Sequence, residues 1–341
     1  MKQGRHRPTL RDLAEETGLS PAAVSYALRG LQVTPQTQAR VREAADRLGY
    51  QADPIARALA SGRTDTIGVL CGSLADGWQQ EVAAALGRGL IAVGRNAFTL
   101  DAGNDPEREA MLAQRLVDQR VDALIVLPVD PCSRHWRELG RRTVLVAVGD
   151  GLPEAEPAGE VVFDNVTGVT HGLRLLAGAG HTRVTVLTPT DRSSPDRPAE
   201  QIVHRVAPEL GMQVQVRTCP HDLDGAAAVV RTQLRGPQRP TAFLCLADSI
   251  AFGVYAAARE LDLSVPDDVS VIGYDDLAVS RLLTPPLSSY RWPLDELVEA
   301  VVGRTVAAIE TGERRPRAVI VPQPRPRGSV APPRPDSRSV H

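Results

Sequence analysis

The first residues of the chain place apolar positions at helical spacing. Leu10, Leu13 and Ala14 recur at i, i+3 and i+4, which predicts one apolar helix face. Thr9 can cap the start of this helix through its hydroxyl group. Gly18 can end it, because the left-handed conformation of a helix C-terminus is cheapest for glycine.

A second helix is predicted directly after this turn. Ser20 is a capping residue, and Pro21 occupies the first helical position, where a missing N–H costs nothing. Two short helices joined by a turn of three or four residues with a glycine are typical of a helix-turn-helix, whose second helix enters a DNA major groove. A helical hairpin that binds no nucleic acid is the alternative.

Two more helices and the charge distribution favour DNA binding. Thr34-Pro35 opens a third helix that closes at Gly49, and Asp53-Pro54 opens a short fourth helix over Ile55–Ala60. Residues 1–65 carry a net charge of +3, whereas the whole chain carries −2. A basic head on an acidic body is typical of a module that binds phosphates.

From Thr66 onward, short apolar runs alternate with amphipathic helical stretches. This alternation predicts βαβ units in two parallel sheets, with ligands bound at the carboxyl ends of the strands. We expect one crossover between the sheets near Asp164-Asn165 and another at Pro285-Pro286. After Val321 the chain is rich in Pro and Arg, a composition that cannot bury a core.

The predicted domains are a helix-turn-helix domain over 1–52, a hinge helix over 53–63, a two-lobed domain over 64–322 and a flexible tail over 323–341. Lobe 1 is predicted at about 64–163 and 292–318, and lobe 2 at about 164–289. The fold class is an all-α N-terminal domain followed by a two-lobed α/β domain.

Composition narrows the class of protein further. The four cysteines are dispersed and form no CxxC pair, so Cys71 and Cys245 are expected to be buried free thiols and no metal site is predicted. No apolar run approaches the length of a membrane span, and the N-terminus lacks the apolar region of a signal peptide. We expect a soluble cytoplasmic protein without a cofactor.

The order of several motifs resembles the LacI/GalR family of transcriptional regulators from about residue 8 to Ser329. The motifs are Thr9–Ala14, Gly18-Leu19-Ser20, Val24-Ser25, Leu48-Gly49-Tyr50, Ala56–Leu59, Thr66–Val69, Val121–Ile125, Asp164-Asn165, Gly180–Val184 and Val271–Asp276. The resemblance implies a homodimer that binds a palindromic operator, in most members as a repressor. It also implies a body similar to periplasmic sugar-binding proteins, with a small-molecule effector, such as a sugar, between the lobes.

The resemblance also assigns roles in the DNA-binding region. Base edges would be read by Pro21, Ala22 and Tyr26. The residues expected at the DNA backbone and nearby are Thr9, Ser20, Ser25, Arg29, Thr34 and Thr37. Leu59, with Ala56 and Ala60 on the hinge helix, would wedge into the minor groove. Tyr26 departs from the family, which often has Arg there, so either an altered operator preference or a packing role is expected.

Effector contacts are implied for a second set of residues. They are Ser73, Leu74, Trp78, Arg197, Leu223, Ala247 and Asp275. Asp275 would accept hydrogen bonds from ligand hydroxyl groups. Leu223 and Ala247 stand where the family often has an aromatic ring and an asparagine, which predicts a ligand less polar, or held less tightly, than a free hexose.

Three alternatives remain open from the sequence. An enzyme is disfavoured because Cys71–Gly77 matches neither G-x-G-x-x-G nor a P-loop, and no catalytic cluster is recognised. A transport-type solute-binding protein would need a signal peptide. A DNA-binding regulator that responds to a partner protein or to its own concentration fits the departures in the cleft.

Overall fold

The computed structural model of the chain describes residues 8–31, 33–50, 58, 62–189 and 196–334. It separates into two compact units, the head (residues 1–64) and the body (residues 65–341). The predicted hinge residues Ala56, Leu59 and Ala60 lie outside the described residues, and their roles stay predictions.

Among its described residues the head has three helices, which are capped at the predicted residues Thr9, Gly18, Ser20, Thr34 and Gly49. They are α1 (Leu10–Thr17), α2 (Pro21–Arg29) and α3 (Pro35–Leu48). The hydroxyl groups of Thr9, Ser20 and Thr34 each accept a backbone N–H from the first turn of the helix that follows. Gly18 ends α1 in the left-handed region at φ 65°. The buried core of the head is formed by Leu13, Ala14, Val24, Ala27, Val41, Ala44 and Ala45.

The body contains two parallel sheets, as predicted. The first sheet has the order β11-β5-β4-β3-β1-β2 and the second β7-β6-β8-β9. The strands of the first sheet are β1 (Thr66–Cys71), β2 (Asn96–Asp101), β3 (Ala123–Leu127), β4 (Val144–Gly149), β5 (Gly159–Phe163) and β11 (Ala318–Ile320). Those of the second are β6 (Arg183–Thr188), β7 (Gln213–Thr218), β8 (Ala242–Cys245) and β9 (Ser270–Ile272). All five residues of β3 are buried, as expected for a strand with helices on both faces.

Helices cover both sheets and connect their parallel strands. They are α4 (Gly77–Ala92), α5 (Pro106–Asp118), α6 (His135–Gly140), α7 (Asn165–Gly178), α8 (Ala199–Glu209), α9 (Leu223–Arg235), α10 (Asp248–Glu260) and α11 (Leu294–Thr311). A 3₁₀ helix spans Ala278–Arg281. Helices α9 and α10 approach so closely that a Cβ atom on Gly253 would lie 2.4 Å from Cβ of Ala226.

Within the described part of the body, the chain passes between the lobes three times rather than the predicted two. It leaves the first sheet after β5 and enters the second lobe at α7, as predicted at Asp164-Asn165. It returns through β10 (Ser289–Arg291) to α11, and after β11 it crosses again through β12 (Gln323–Arg325), which pairs antiparallel with β10.

The prediction of a flexible tail from residue 323 is wrong as far as residue 334. Ser329 is fully buried; its backbone carbonyl accepts from Val271 N, and its hydroxyl donates to Val271 O at 2.6 Å. Ala331 O accepts from Ser270 Oγ at 3.0 Å. The segment forms hydrogen bonds with polar groups at the open edge of β9. Such hydrogen bonds order a segment that has few apolar residues, so composition alone does not predict its order.

Cys71 and Cys245 are both buried free thiols, which confirms that prediction. Burial raises the pKa of the Cys71 thiol to about 12, so it stays protonated at neutral pH. Across the described residues, no helix is both long and apolar enough to cross a membrane.

Candidate functional site

Helix α2 presents one face to solvent and the other to the core of the head. Val24 and Ala27 are completely buried, whereas Pro21, Ala22 and Tyr26 are exposed. The side chain of Tyr26 is therefore not part of the core, with 38% of its surface accessible. The three residues predicted to read base edges thus share an accessible helix face.

Hydroxyl groups lie at the start of each helix of the head. Ser20 Oγ accepts from Ala23 N at 3.2 Å, and Thr34 Oγ1 lies 3.0 Å from Thr37 Oγ1. Thr9 Oγ1 donates to Asp12 Oδ2 at 2.9 Å within a capping box. Helix N-termini attract anions through exposed N–H groups and the helix dipole, so these positions are chemically suited to phosphate contacts.

The body contains a cavity of about 720 Å³ between its two lobes. Its wall in the first lobe includes residues that follow β3 and β4, among them Pro128 and Asp150. Its wall in the second lobe includes residues that follow β7, β8 and β9, among them His221, Ala247 and Asp275. The cavity therefore lies at the carboxyl ends of both parallel sheets, where open α/β folds bind ligands.

Four of the seven predicted effector residues line this cavity. They are Trp78, Arg197, Ala247 and Asp275. Ser73, Leu74 and Leu223 are not among the lining residues, so nothing in the cavity wall supports their predicted role. Leu223 is 52% exposed, because Asp222 caps α9 and Leu223 begins the helix beyond it. His221 lines the cavity two residues earlier.

Aromatic side chains form a continuous group along the cavity wall. Phe163 stacks on Trp292 with 4.2 Å between ring centroids, and Trp78 meets Phe163 edge-on at 5.2 Å. Tyr274 lies 5.4 Å from the Trp292 ring. The sequence reasoning missed three of these four rings, although Phe163 and Tyr274 each stand at or just after the carboxyl end of a strand.

Arg197 is already paired within the protein. Its guanidinium binds both carboxylate oxygens of Asp150 at 2.7–2.9 Å, and Nη2 also donates to Pro128 O at 2.9 Å. Because Arg197 follows the first crossover and Asp150 follows β4, this ion pair joins the two lobes. The arginine predicted to bind ligand therefore also holds the lobes together.

The carboxyl groups of Asp248 and Asp275, at the cavity, differ in their hydrogen-bond partners and charged neighbours. Asp248 is fully buried and accepts hydrogen bonds from Ser289 Oγ at 2.6 Å, from Ser280 Oγ and from Leu277 N at 2.9 Å. Burial raises its pKa to about 6, although these hydrogen bonds oppose the rise. Asp275 lies in the cavity wall itself, where desolvation and the charges of Asp76 and Asp248 raise its pKa well above the ordinary value.

Asp276, unlike Asp275, has positively charged partners. Its carboxylate is completely buried and forms ion pairs with Arg291 at 2.6 Å and with Arg327 of the third crossover. Both arginines come from chain segments that connect the lobes. This carboxylate is therefore a structural anchor for the crossovers.

Comparison with known proteins agrees with this architecture. The protein-family model described as a periplasmic binding protein-like domain matches residues 173–330. The ribose operon repressor of Escherichia coli (strain K12) is 27% identical over 300 residues, which covers 86% of this chain and 91% of that protein. The transcriptional repressor PurR of Vibrio campbellii is 26% identical over 290 residues, which covers 84% and 87%.

A solved structure of the Lac repressor dimer, bound to operator and the anti-inducer ONPF, has the same fold. Its TM-score is 0.84 at 22% identity, over 96% of this chain and 100% of that one. It matches the helical head as well as the body, since nearly the whole chain is covered. The chain is thus similar along most of its length to transcriptional repressors of ribose-operon and PurR type, and it shares the fold of the Lac repressor.

Proposed function

We propose that the protein is a sequence-specific DNA-binding transcriptional regulator, acting as a repressor, whose DNA affinity is set by a small molecule in the interlobe cavity. The observation that carries the proposal is the exposed face of α2 on a capped helix-turn-helix. The relatives named above are repressors of a ribose operon and of the PurR type, which supports the same role here.

Helix α2 would lie in the major groove, with Pro21, Ala22 and Tyr26 against base edges. Thr9, Ser25, Thr34 and Thr37, together with Ser20 and Arg29, would fix the head on the phosphate backbone. Phosphate contacts position the protein and base contacts specify the sequence. Tyr26 offers one hydroxyl and a ring for a thymine methyl group, so its contribution depends on the base that it meets.

The proposed assembly is a homodimer on a palindromic operator. The Lac repressor that shares this fold was crystallised as a dimer bound to operator. Two heads related by a two-fold axis would read two half-sites of opposite orientation. The hinge residues Ala56, Leu59 and Ala60 would contact the minor groove between the half-sites.

Control by a small molecule is supported by the cavity between the lobes. Its volume of about 720 Å³ is in the range of small-molecule sites, and its wall combines aromatic rings with a few polar groups. Asp275 would accept hydrogen bonds from ligand hydroxyl groups. A ligand that contacts both walls changes the relative stability of open and closed lobes, which is the requirement for allosteric coupling.

The test is binding of the full-length protein to the DNA upstream of its own gene, followed by fluorescence anisotropy. Affinity should fall steeply between about 50 and 200 mM salt as counterions are released. Tyr26→Ala should lose roughly 1–3 kcal/mol on the preferred site and far less on unrelated DNA. Tyr26→Phe is the matched control, because it keeps the ring and removes only the hydroxyl group.

Two outcomes would contradict the proposal. One is the absence of any preference for an inverted repeat at physiological salt. The other is an equal loss of affinity on every sequence in Tyr26→Ala, which would make Tyr26 part of the scaffold.

A second candidate is the same regulator without a small-molecule effector. The observation that favours it is the Arg197–Asp150 ion pair, in which two protein side chains connect the lobes directly. It predicts that no sugar, nucleoside or related metabolite shifts the melting temperature or changes operator affinity. Binding of any such compound in the cavity would exclude it.

A further inference from the structure

The interlobe cavity has more negative than positive groups in its described wall. Four carboxylates line it, those of Asp76, Asp150, Glu200 and Asp275, whereas Arg197 is the one arginine among the described lining residues. Arg197 is neutralised by Asp150 in a bidentate pair. The Glu200 side chain is 71% exposed, so water screens its charge.

The two remaining carboxylates come from opposite lobes. Asp76 caps α4 in the first lobe, and only 6% of its surface is accessible. Asp275 follows β9 in the second lobe, in a backbone conformation with φ 104°. A Cβ atom on Gly77 would lie 3.4 Å from Leu277 Cδ1, so the loop before α4 lies against the loop that holds Asp275.

Within the described residues, neither carboxylate has an arginine at ion-pair distance. Asp76 accepts a hydrogen bond from Trp78 N at 3.1 Å, and burial raises its pKa, although the nearby His221 opposes the rise. Asp275 accepts hydrogen bonds from Trp292 and from the backbone of Asp248, but its charged neighbours are the carboxylates of Asp76 and Asp248. A desolvated carboxyl group with negative neighbours is costly to ionise unless a cation is supplied.

Aromatic side chains line the same cavity. Trp78 and Trp292 line this cavity together with Asp275, and the Phe163 ring lies between the two indole rings. Aromatic faces attract cations, and the attraction is strongest for tryptophan and for desolvated cations. Unpaired carboxylates beside tryptophan rings form an environment that favours an organic ammonium group over a neutral hydroxyl group.

We propose that the ligand of this cavity is a hydroxylated compound that carries a nitrogen cation, with the cation bound at Asp275 and Asp76 against the Trp78 and Trp292 rings. The inference rests on the proposed function, since it names the ligand class of that same cavity. A neutral sugar supplies no positive charge to the two carboxyl groups. An ammonium group neutralises them when it binds and draws the two lobes together.

The experiment compares matched pairs of probes on the full-length protein at neutral pH. The pairs are D-glucosamine with D-glucose and D-galactosamine with D-galactose, and N-acetyl-D-glucosamine serves as the uncharged amide control. Thermal shift and titration calorimetry should show the amino sugars binding at least tenfold more tightly than their neutral partners. Affinity should fall as the pH rises through the titration of the probe's own amine.

Asp275→Asn should reduce the preference for the amino sugar to less than twofold. Glu200→Gln, which removes an exposed carboxylate from the same cavity wall, is the matched control and should keep the preference. If Asp275→Asn does not fold, the pH dependence of amino-sugar binding to the parent protein is the deciding measurement. An affinity that does not fall as the probe's amine loses its proton would overturn the proposal.

The proposal is overturned if neutral sugars bind as tightly as amino sugars, if none of the amino sugars binds, or if Asp275→Asn keeps the preference. Operator binding measured on the same samples separates this result from the proposed function. A protein that binds its operator but prefers neutral sugars, or binds none of the probes, refutes only the ligand class. A protein that binds no operator refutes the regulator itself.

Discussion

Asp275 and Asp276 are adjacent in the chain but have different charged partners. We therefore expect the same substitution, Asp→Asn, to have opposite effects on stability at the two positions. Asp276 is completely buried between Arg291 and Arg327, and Asp275 faces the cavity with carboxylates as its charged neighbours. Asparagine has nearly the same shape as aspartate and tolerates a positive φ, so it removes the charge with little effect on the backbone.

Asp276→Asn leaves two arginines without their counter-ion. Removing one partner of a buried ion pair costs about 3–5 kcal/mol. The Arg291 side chain is 43% exposed and Arg327 17% exposed, so water compensates part of the loss and the lower end of the range, about 3 kcal/mol, applies. For a body of this size the melting temperature should fall by roughly 6–12 °C.

Asp275→Asn should instead raise the stability of the ligand-free protein at pH 7.5. Its pKa is raised in the folded state, so the folded protein binds this proton more tightly than the unfolded chain does. The unfavourable contribution of Asp275 therefore grows as the pH rises from below its unfolded pKa towards its folded pKa. The advantage of the variant should shrink as the pH is lowered.

The assay is thermal unfolding of both variants followed by tryptophan fluorescence at several pH values. All three tryptophans, Trp78, Trp136 and Trp292, belong to the body, so the signal reports on the unit that contains both aspartates. If the melting temperatures of both variants change in the same direction at pH 7.5, the reasoning is refuted, because the charged partners of each aspartate would then not decide the direction of the effect.

Three further predictions concern the body. Glu109 is fully buried, and burial raises its pKa to about 7, so the free energy of unfolding should fall by roughly 3 kcal/mol as the pH rises from about 4.5 to 7. Glu109→Gln should flatten this pH dependence when urea unfolding is measured at a series of pH values. An unchanged pH dependence in the variant would contradict the prediction. The buried Tyr274 hydroxyl has no hydrogen-bond partner among the described residues, so Tyr274→Phe should stabilise the protein by about 1 kcal/mol in the same unfolding assay, and a loss of stability would show that the hydroxyl does find a partner. Deleting residues 323–341 removes Arg327, so it should lower the melting temperature at least as much as Asp276→Asn does. Deleting only residues 335–341 is the control and should change the melting temperature little. Equal melting temperatures for the two truncated proteins would contradict the role of the third crossover.

The regular elements of this protein were largely predictable from local pattern. Helices α1 and α2 are bounded by Thr9, Gly18 and Ser20, whose capping chemistry acts within a few residues. Strand β3 (Ala123–Leu127) is one of the short apolar runs expected after Thr66, because a buried parallel strand is a continuous apolar run. Strands β10 and β12 were missed, since three-residue strands with polar and proline residues carry no such run.

The candidate site was predictable only in part. The resemblance to the family implied that Trp78, Arg197, Ala247 and Asp275 lie at the effector site, and all four line the cavity. Leu223 was expected in the cavity wall but does not line it, whereas His221, two residues earlier in the loop after β7, does. No sequence pattern indicated that Asp150 pairs with Arg197, 47 residues away.

The sequence by itself determined the helix-turn-helix head and the alternation of strands and helices, because caps, periodicity and turn residues act over distances of a few residues. Tertiary structure alone decided the ionisation environments of Asp275 and Asp276 and the order of the segment that ends at residue 334. These depend on which charges and open strand edges distant segments bring together, and the electrostatic cost of burial is set by that three-dimensional arrangement.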